Sequence, residues 1–583
     1  MKRRELFIKI FLFVICAILF TYNLGSALPI IESEKFYFQS VKEMFARHDW
    51  VTPYYQGHFR FQKPILFYWL VSLSYLIFGI DNFGVRFPSA LFGALTVVFT
   101  FNIGRKLFDR KTGFLAAGLL ATFAIFFMYA RYASPDMTLT FFVTYSIYLF
   151  LKGSKTIEVE NKFFTLYFAV LGLATMNKGY VGFALPLIVV CIFIISTKKW
   201  KLFKAMNFPL GIFIILAIGL PWYLVMYKLH GDRYLDHIVL RETIMRVFYA
   251  PDNEKGLAFL ESYFKRFFYY IPILIAWLIP HSLFLPAAIA DAFRSKNTYS
   301  REKDSYKLIL SYFFGIFLFF TLISVKEYHY MLPIAPACAL IIARYLINLE
   351  ERGIQFKSLN FRIPYLLITI IYTGSVIFLL YTMKHIYPED VAIYEYAIIL
   401  TPLILIIPYM RKNSKVTLSA LPVTVGILMV FLAGRAIPLL NDNTMRIFAE
   451  EIGEGLKEDD RVGVGSVNIS QQRLGIYLDR QIEEVNIKWP SPEAVPIHID
   501  RIVKFLDSGD NVYLIISKDD YTRLVPDEFK SKLALIDKRQ TWKTRIKRSL
   551  DKEAVVQILH GKKDLLKEVL RHEIYLLTNK KLF

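Results

Sequence analysis

The chain has 583 residues, 55% hydrophobic, 16% aromatic and only 20% charged, with a mean hydropathy of +0.40. This excludes an ordinary water-soluble domain of that length. The net charge of +21, from 70 basic and 49 acidic residues, does not point to nucleic acid, because the basic residues sit in short loops between apolar runs, where lipid headgroups and the positive-inside bias account for them.

The opening stretch MKRRELFIKIFLFVICAILF lacks a small-x-small cleavage site and reads as a retained first helix. Further apolar runs follow near 87–104, 113–131, 136–151, 163–176, 180–196, 208–228, 270–290, 308–324, 332–347, 363–383, 391–409 and 416–438, giving about thirteen expected crossings with the first. One more run, ILFYWLVSLSYLIFGI at 65–80, is barely long enough to cross. Cys16, Cys191 and Cys338 lie far apart inside apolar runs and offer neither a metal spacing nor a disulfide. Residues 1–440 thus form a polytopic domain whose first outer loop covers about 29–86.

Charge decides how the ambiguous run is read. With MKRR in the cytoplasm and 65–80 lying along the surface, the loops GRKLFDRKTG, LKGSKTIEVENK, STKKWKLFK, FRSKNTYSREKDSYK, LEERGIQFKSLNFR and MRKNSK all face the cytoplasm, and each is rich in Lys or Arg. A crossing at 65–80 would turn them all outward. The expected protein is therefore multi-pass in the inner (plasma) membrane, with a cytoplasmic N-terminus and residues 441–583 outside.

The polar tail reads as a soluble α/β domain. DRVGVGSV, QIEEVNI, NVYLIIS and HEIYLLT have the look of strands, with SQQRLGIYL and PIHIDRIVKFL as helices between them, which suggests a small, mainly parallel sheet. The glycine pair in GVGS is too short for a phosphate-binding loop.

On the outer face the reading gathers Glu32 and Glu34, Arg60 and Lys63 in HFRFQKP, Asp136 in RYASPDM, Lys178 in NKGY, and Lys326 and Tyr330 in KEYHYMLP. Charges at a membrane edge are costly and usually functional. Each also has a plain structural reading: interfacial acids, snorkelling lysines, Asp136 as an N-cap after the helix-start signal of Pro135, His329 within an aromatic belt. Taken together, carboxylates that hold or deprotonate an acceptor and cations that neutralise a phosphate suggest group transfer from a lipid-linked phosphate.

The stretch ESEKFYFQSVKEMFARHDWVTPYYQGHFRFQKPILFYWL resembles the first outer loop of the GT-C glycosyltransferases related to protein O-mannosyltransferases, and of the aminoarabinose transferases that modify lipid A in particular. Their pattern of Asp-Glu-x-Arg-Tyr, Arg-Glu-Met, Gly-Asp-Trp and Phe-Glu-Lys-Pro is met by Glu34, Tyr37, Lys42-Glu43-Met44, Asp49-Trp50 and Phe61-Gln62-Lys63-Pro64. FGVRFPSALFGAL, ARYASPDMTLTFF, MNKGYVGFALP and VKEYHYMLPIAP match later blocks in order, and SVNISQQRLGIYLDRQI matches more weakly in the tail. Two positions depart: Ser33 stands where the pattern has Asp, and Gln62 where it has Glu, so no metal role is carried to Gln62.

The resemblance implies a mainly α, GT-C membrane fold of about thirteen helices with an outward C-terminal domain. It also implies inverting transfer of a sugar from a polyprenyl-phosphate donor to a lipid A-like or protein acceptor. Glu34, with Glu32 or Asp136, would serve the acceptor. Lys63, helped by Arg60, Lys178 or Lys326, would hold the phosphate, with Tyr37 and Tyr330 at the substrate. No cofactor is expected; a divalent metal ion is left open. Membrane lipids are the other expected partner, and nucleic acid is not one. The runner-up from another class is a polytopic lipid or sugar transporter or flippase, which would move its substrate unaltered, whereas a transferase releases free polyprenyl phosphate.

Overall fold

The computed structural model describes residues 2–25, 33–154, 162–248, 268–298, 302–386, 393–440, 443–466, 469, 471–486, 495–542 and 571–580. They are mainly helical and fall into two compact units.

The first unit comprises Met1–Gly25, Phe36–Phe378 and Tyr396–Ala433. Its leading helices are α1 (Lys2–Thr21), α2 (Glu34–Arg47, whose first two residues group with the second unit), α3 (Leu66–Phe78), α4 (Asn82–Leu107), α5 (Arg110–Ala121), α6 (Ala124–Ala130), α7 (Pro135–Gly153), α8 (Lys162–Lys178) and α9 (Tyr180–Thr197). Their starts are written locally. Asp81 caps α4 by accepting from the Gly84 amide at 2.6 Å, and Asp109 caps α5 through the Thr112 amide at 2.8 Å. α4 packs against α1, α5 and α7, while the helical stretch Tyr328–Glu351 is the most enclosed.

Among the described residues six helices are long and apolar enough to cross a membrane, or eight if each of two bent pairs counts once. Two of the expected runs are bent. The run at 113–131 is α5 and α6 meeting at 69°, and that at 208–228 breaks at Pro221 with a 47° bend. The run at 391–409 is a 3₁₀ turn, Ile393–Leu400, followed by the short helix Leu403–Met410. α3 has 13 residues, which span about 20 Å against a hydrocarbon core of roughly 30 Å.

At one end of this unit, Arg344 gathers carboxylates from three elements. Its guanidinium lies 3.0 Å from Asp109, 3.0 Å from Glu302 and 3.4 Å from Glu351. Lys111 pairs with Glu350 at 3.4 Å, Lys199 with Asp304 at 2.5 Å, and Glu5 at the start of α1 with Arg105 near the end of α4.

The second unit comprises Ser26–Lys35, Leu379–Glu395 and Gly434–Phe583. It holds a five-stranded sheet of β3 (Arg461–Val464), β4 (Glu483–Glu484), β5 (Val512–Ser517), β6 (Ala534–Trp542) and β7 (Arg571–Thr578), in the order β4-β3-β5-β7-β6; β1 and β2 form a hairpin in the first unit, Tyr54–Tyr55 and His58–Phe59. β3 is parallel to β4 and β5, whereas β7 is antiparallel to β5 and β6, so the sheet is mixed and not mainly parallel. All six residues of β5 are buried because both faces are covered. Tyr513 and Ile515 meet Phe448, Ile452 and Leu474 on one side, and Leu514 and Ile516 meet Ile502 and Phe505 on the other.

Candidate active site

The loop between α2 and α3 is held by its own acids. Glu43 accepts from the Gln56 and Gly57 amides at 2.6 and 3.1 Å, clamping the tip of the β1–β2 hairpin to α2. Both tip residues have positive φ, 52° and 78°, as a tight two-residue hairpin requires. Asp49 accepts from the Val51 and Thr52 amides at 2.9 and 3.0 Å, and the Trp50 carbonyl accepts from the Trp69 indole at 2.8 Å. These residues position the chain that delivers Arg60 and Lys63.

Lys63 and Glu242 are 2.9 Å apart, and Arg246 reaches the other carboxylate oxygen of Glu242 at 3.1 Å. Arg246 also donates to the Tyr330 hydroxyl at 2.7 Å. The Lys63 pKa is lowered to about 8: burial pushes it down most, Glu242 opposes this, and Arg246 adds to the lowering. Arg60 donates to the Tyr68 hydroxyl at 3.0 Å with its guanidinium 4.0 Å over the Phe36 ring. Tyr37 packs on Tyr68 and Phe67. Its phenol pKa is raised well above 10, by burial first and then Tyr68, with Asp136 near enough to add to it.

Asp136 forms the second half of the site. The N-cap of α7 is Ser134, with Pro135 in the first turn, so Asp136 is not the cap that its position before MTLTFF suggests. The Ser134 hydroxyl donates to Asp136 at 2.6 Å, and Lys178 forms an ion pair with the same carboxylate, both side chains being nearly buried. His329 Nε2 lies 3.9 Å from it. Lys178 ends α8 at a break completed by Gly179 (φ 65°), and Asn177 beside it donates to the Pro135 carbonyl at 2.8 Å. The Lys178 ammonium sits 5.1 Å over the Tyr330 ring. Tyr330 therefore joins the halves, its hydroxyl to Arg246 and its ring to Lys178.

The structure thus brings Asp136, Lys63, Lys178 and Tyr330 into one cluster, with Tyr37 and Arg60 alongside. Lys326 is differently engaged. Its ammonium donates to the Phe320 and Thr321 carbonyls, at 2.8 and 2.6 Å, at the C-terminal end of the helix Lys303–Leu322. Glu34 is fully buried at the first position of α2 and groups with the second unit. Glu32 lies outside the described residues. Glu242 and Arg246 were not singled out from sequence; the signal available was their i,i+4 spacing in the charged stretch DHIVLRETIMR. Among the described residues no three His, Cys, Asp or Glu side chains come together as a metal site.

Residues 62–224 match the family model described as dolichyl-phosphate-mannose-protein mannosyltransferase. The chain is 32% identical over 347 residues to an uncharacterized protein of Aquifex aeolicus, covering 59% of this chain and 65% of that one. It is 29% identical over 328 residues to the undecaprenyl phosphate-alpha-4-amino-4-deoxy-L-arabinose arabinosyl transferase of Edwardsiella ictaluri, covering 56% of each. It is 27% identical over 532 residues to the second such transferase of Proteus mirabilis, covering 87% and 92%. The matched region spans under two thirds of the Aquifex and Edwardsiella relatives. In fold the chain is similar to the crystal structure of ArnT from Cupriavidus metallidurans bound to undecaprenyl phosphate, with a TM-score of 0.68 over 98% of each chain at 18% identity. The chain is thus similar along most of its length to the aminoarabinose transferases, in sequence and in fold, and over residues 62–224 to the dolichyl-phosphate-mannose-protein mannosyltransferases.

Proposed function

We propose that this chain is an integral-membrane glycosyltransferase that moves a sugar from a polyprenyl-phosphate carrier to an extracytoplasmic acceptor, with inversion at the anomeric carbon. The observation that carries the reading is the linked pair of ion pairs, Lys63–Glu242–Arg246 and Lys178–Asp136, held together by Tyr330. Three cations around one tyrosine suit a phosphate leaving group.

In this mechanism Lys63 and Arg246 take the carrier phosphate, assisted by Lys178. The bond from the anomeric carbon to the phosphate oxygen breaks, and its electron pair stays on the phosphate, where these cations meet the charge. Asp136 orients groups on the sugar side. A hydroxyl acceptor passes its proton to Glu34, or to Glu32; an ionised phosphate acceptor needs no base. The acceptor class is a lipid A-like glycolipid, with a protein hydroxyl as the other candidate.

The same proposal places residues 1–440 in the inner membrane with about thirteen helices, a cytoplasmic N-terminus and residues 441–583 outside as a separate domain. Support for a non-crossing α3 comes from the Glu5–Arg105 ion pair. α1 and α4 carry the chain across and back, so a third crossing between them would part these two side chains. The loops read as cytoplasmic also meet one another, through Arg344 with Asp109 and Glu302, and through Lys199 with Asp304.

The test is turnover by the purified chain in lipid nanodiscs with an undecaprenyl-phosphate-linked sugar and a lipid A acceptor. Release of free undecaprenyl phosphate with a glycosylated product is expected. Transport of an unaltered lipid-linked sugar would overturn the proposal.

A further inference from the structure

We propose that the second unit carries a carbohydrate site at the carboxyl ends of β3 and β5, and that this site takes a neutral sugar residue of the acceptor. The inference rests on the transferase reading and narrows its acceptor to a glycolipid. It concerns residues 441–583, which the proposed topology puts outside the membrane.

The path of the chain through the sheet makes the site. β3 lies between β4 and β5 and runs parallel to both. In the helix after β3, Gln471–Leu478, Leu474 joins the cluster of Tyr513 and Ile515 on one face. In the helix after β5, Lys518–Leu524, Leu524 joins the cluster of Leu514 and Ile516 on the other. The connections thus leave two adjacent parallel strands towards opposite faces. In open α/β sheets, ligands sit in the crevice outside the carboxyl ends of the strands at such a point.

The floor of this crevice is polar and fixed. The Ser466 and Ser517 hydroxyls, one at the end of each strand, both donate to Asp520 Oδ2, at 2.6 and 3.0 Å, and the Ser517 amide donates to Ser466 Oγ at 2.9 Å. Asn486 and His498 stand beside them, each only 4% exposed. Asn486 Nδ2 donates to the Val464 and Ser466 carbonyls, at 3.1 and 3.4 Å, which leaves its Oδ1 turned away from them. His498 Nε2 donates to the Gly465 carbonyl at 3.0 Å, so the ring proton sits there and Nδ1 is bare. Burial lowers the His498 pKa and keeps the ring neutral at neutral pH; Gly465 and Asp520 oppose the lowering, while Arg523 and Arg501 add to it. Among the described residues neither Asn486 Oδ1 nor His498 Nδ1 has a hydrogen-bond partner, and neither is sealed in the interior. Side chains this buried usually satisfy their polar atoms, so these two acceptors fit positions that a ligand completes.

The unmet groups name the ligand class. A phosphate or carboxylate would bring only further acceptors to two bare acceptors and the Asp520 carboxylate. A sugar hydroxyl brings a proton for Nδ1 or Oδ1 and lone pairs for the exposed Arg523, which holds Asp520 Oδ1 at 3.2 Å. A protein acceptor offers one hydroxyl at the modified side chain, whereas a glycolipid offers several on every ring. No bond forms or breaks in the crevice; it holds the acceptor glycan.

The full chain in lipid nanodiscs, isotope-labelled at its histidine nitrogens, is titrated with methyl glucoside, inorganic phosphate and a threonine peptide. The His498 Nδ1 resonance, identified by its loss in H498Q, should move with the glucoside alone. N486L should weaken that response, with thermal unfolding as the check on folding, and the exposed R523Q should weaken it less. In turnover, N486L/R523Q should raise the KM for a glycolipid acceptor about tenfold, equivalent to ~1.4 kcal/mol, and leave kcat and the donor KM at parental values. An Nδ1 resonance that ignores the glucoside, one that moves equally with phosphate or the peptide, or an acceptor KM unchanged in N486L/R523Q overturns the proposal. Glucoside contact at Nδ1 without release of undecaprenyl phosphate to any acceptor sinks the transferase reading and leaves the crevice assignment standing. Transfer to the glycolipid with a silent Nδ1 does the reverse.

Discussion

Lys63 and Glu242 stand 179 residues apart in the chain, and their side chains meet at 2.9 Å. The pair pins the loop between α2 and α3 to the stretch that carries Arg246. We expect Lys63→Ala to abolish most transfer and to weaken undecaprenyl-phosphate binding, and Lys63→Arg to keep part of both. Binding to nanodisc-held protein, measured alongside turnover, checks this; an unaltered Lys63→Ala protein would refute the phosphate role.

The lowered Lys63 pKa gives that role a pH signature. Only the ammonium form attracts phosphate, so carrier affinity in the parental chain should fall as pH rises through about 8, by up to roughly tenfold per unit. The carrier-free protein has the opposite trend from this group. Burial favours the neutral amine, and the unfolded chain keeps its proton towards 10.5, so stability from Lys63 rises with pH between the two values. Affinity titrations from pH 6.5 to 9.5 test the first statement. A flat profile that matches Lys63→Ala would sink it.

Asp136 and Lys178 form a nearly buried pair, and losing one partner of such a pair costs about 3–5 kcal/mol. Asp136→Ala and Lys178→Ala should each lower the unfolding temperature. The double variant Asp136→Asn/Lys178→Met should regain much of that loss but no turnover. A double variant that is both stable and active would assign the pair to architecture alone.

Much of this site could be read from sequence because its residues lie in short blocks with strong local signals. Lys63 stands before Pro64, and Asp136 follows Ser134-Pro135. The block acids Glu43 and Asp49 turn out to shape the loop, which spacing alone does not reveal, since backbone amides as partners leave no trace in side-chain pattern. Glu242 and Arg246 escaped because their partners, Lys63 and Tyr330, are distant in sequence. β6 escaped for another reason: ALIDKRQTW is a polar edge strand with no clean alternation, recognisable only once β7 pairs with it.

For Glu34→Gln we expect at least about a tenfold loss of turnover, ~1.4 kcal/mol of transition-state stabilisation, with a smaller loss for Glu32→Gln. The change removes charge and keeps shape. Parental rates in both single variants and the double variant would move the base to Asp136.

Topology can be checked in a chain whose three native cysteines are replaced. Lys201→Cys should label only from the cytoplasm and Lys504→Cys only from outside, both positions being exposed. Outside reagent reaching position 201 would mean that α3 crosses after all.

Lys326 is bound to helix-end carbonyls, where a cation is typically worth about 0.3–1 kcal/mol. Lys326→Gln should therefore lower the unfolding temperature modestly and cost less carrier affinity than Lys63→Ala. A loss of affinity equal to that of Lys63→Ala would give Lys326 a direct share of the phosphate.

The Arg344 knot sets an order on synthesis. Asp109 leaves the ribosome 235 residues ahead of the guanidinium that receives it, and Glu302 leads by 42. Until residue 344 emerges, both acids lack that counter-ion. The helices that start beside them, α5 and Lys303–Leu322, acquire this fastening only then. A nascent chain stalled short of residue 344 would lack the guanidinium that ties the starts of these two helices together.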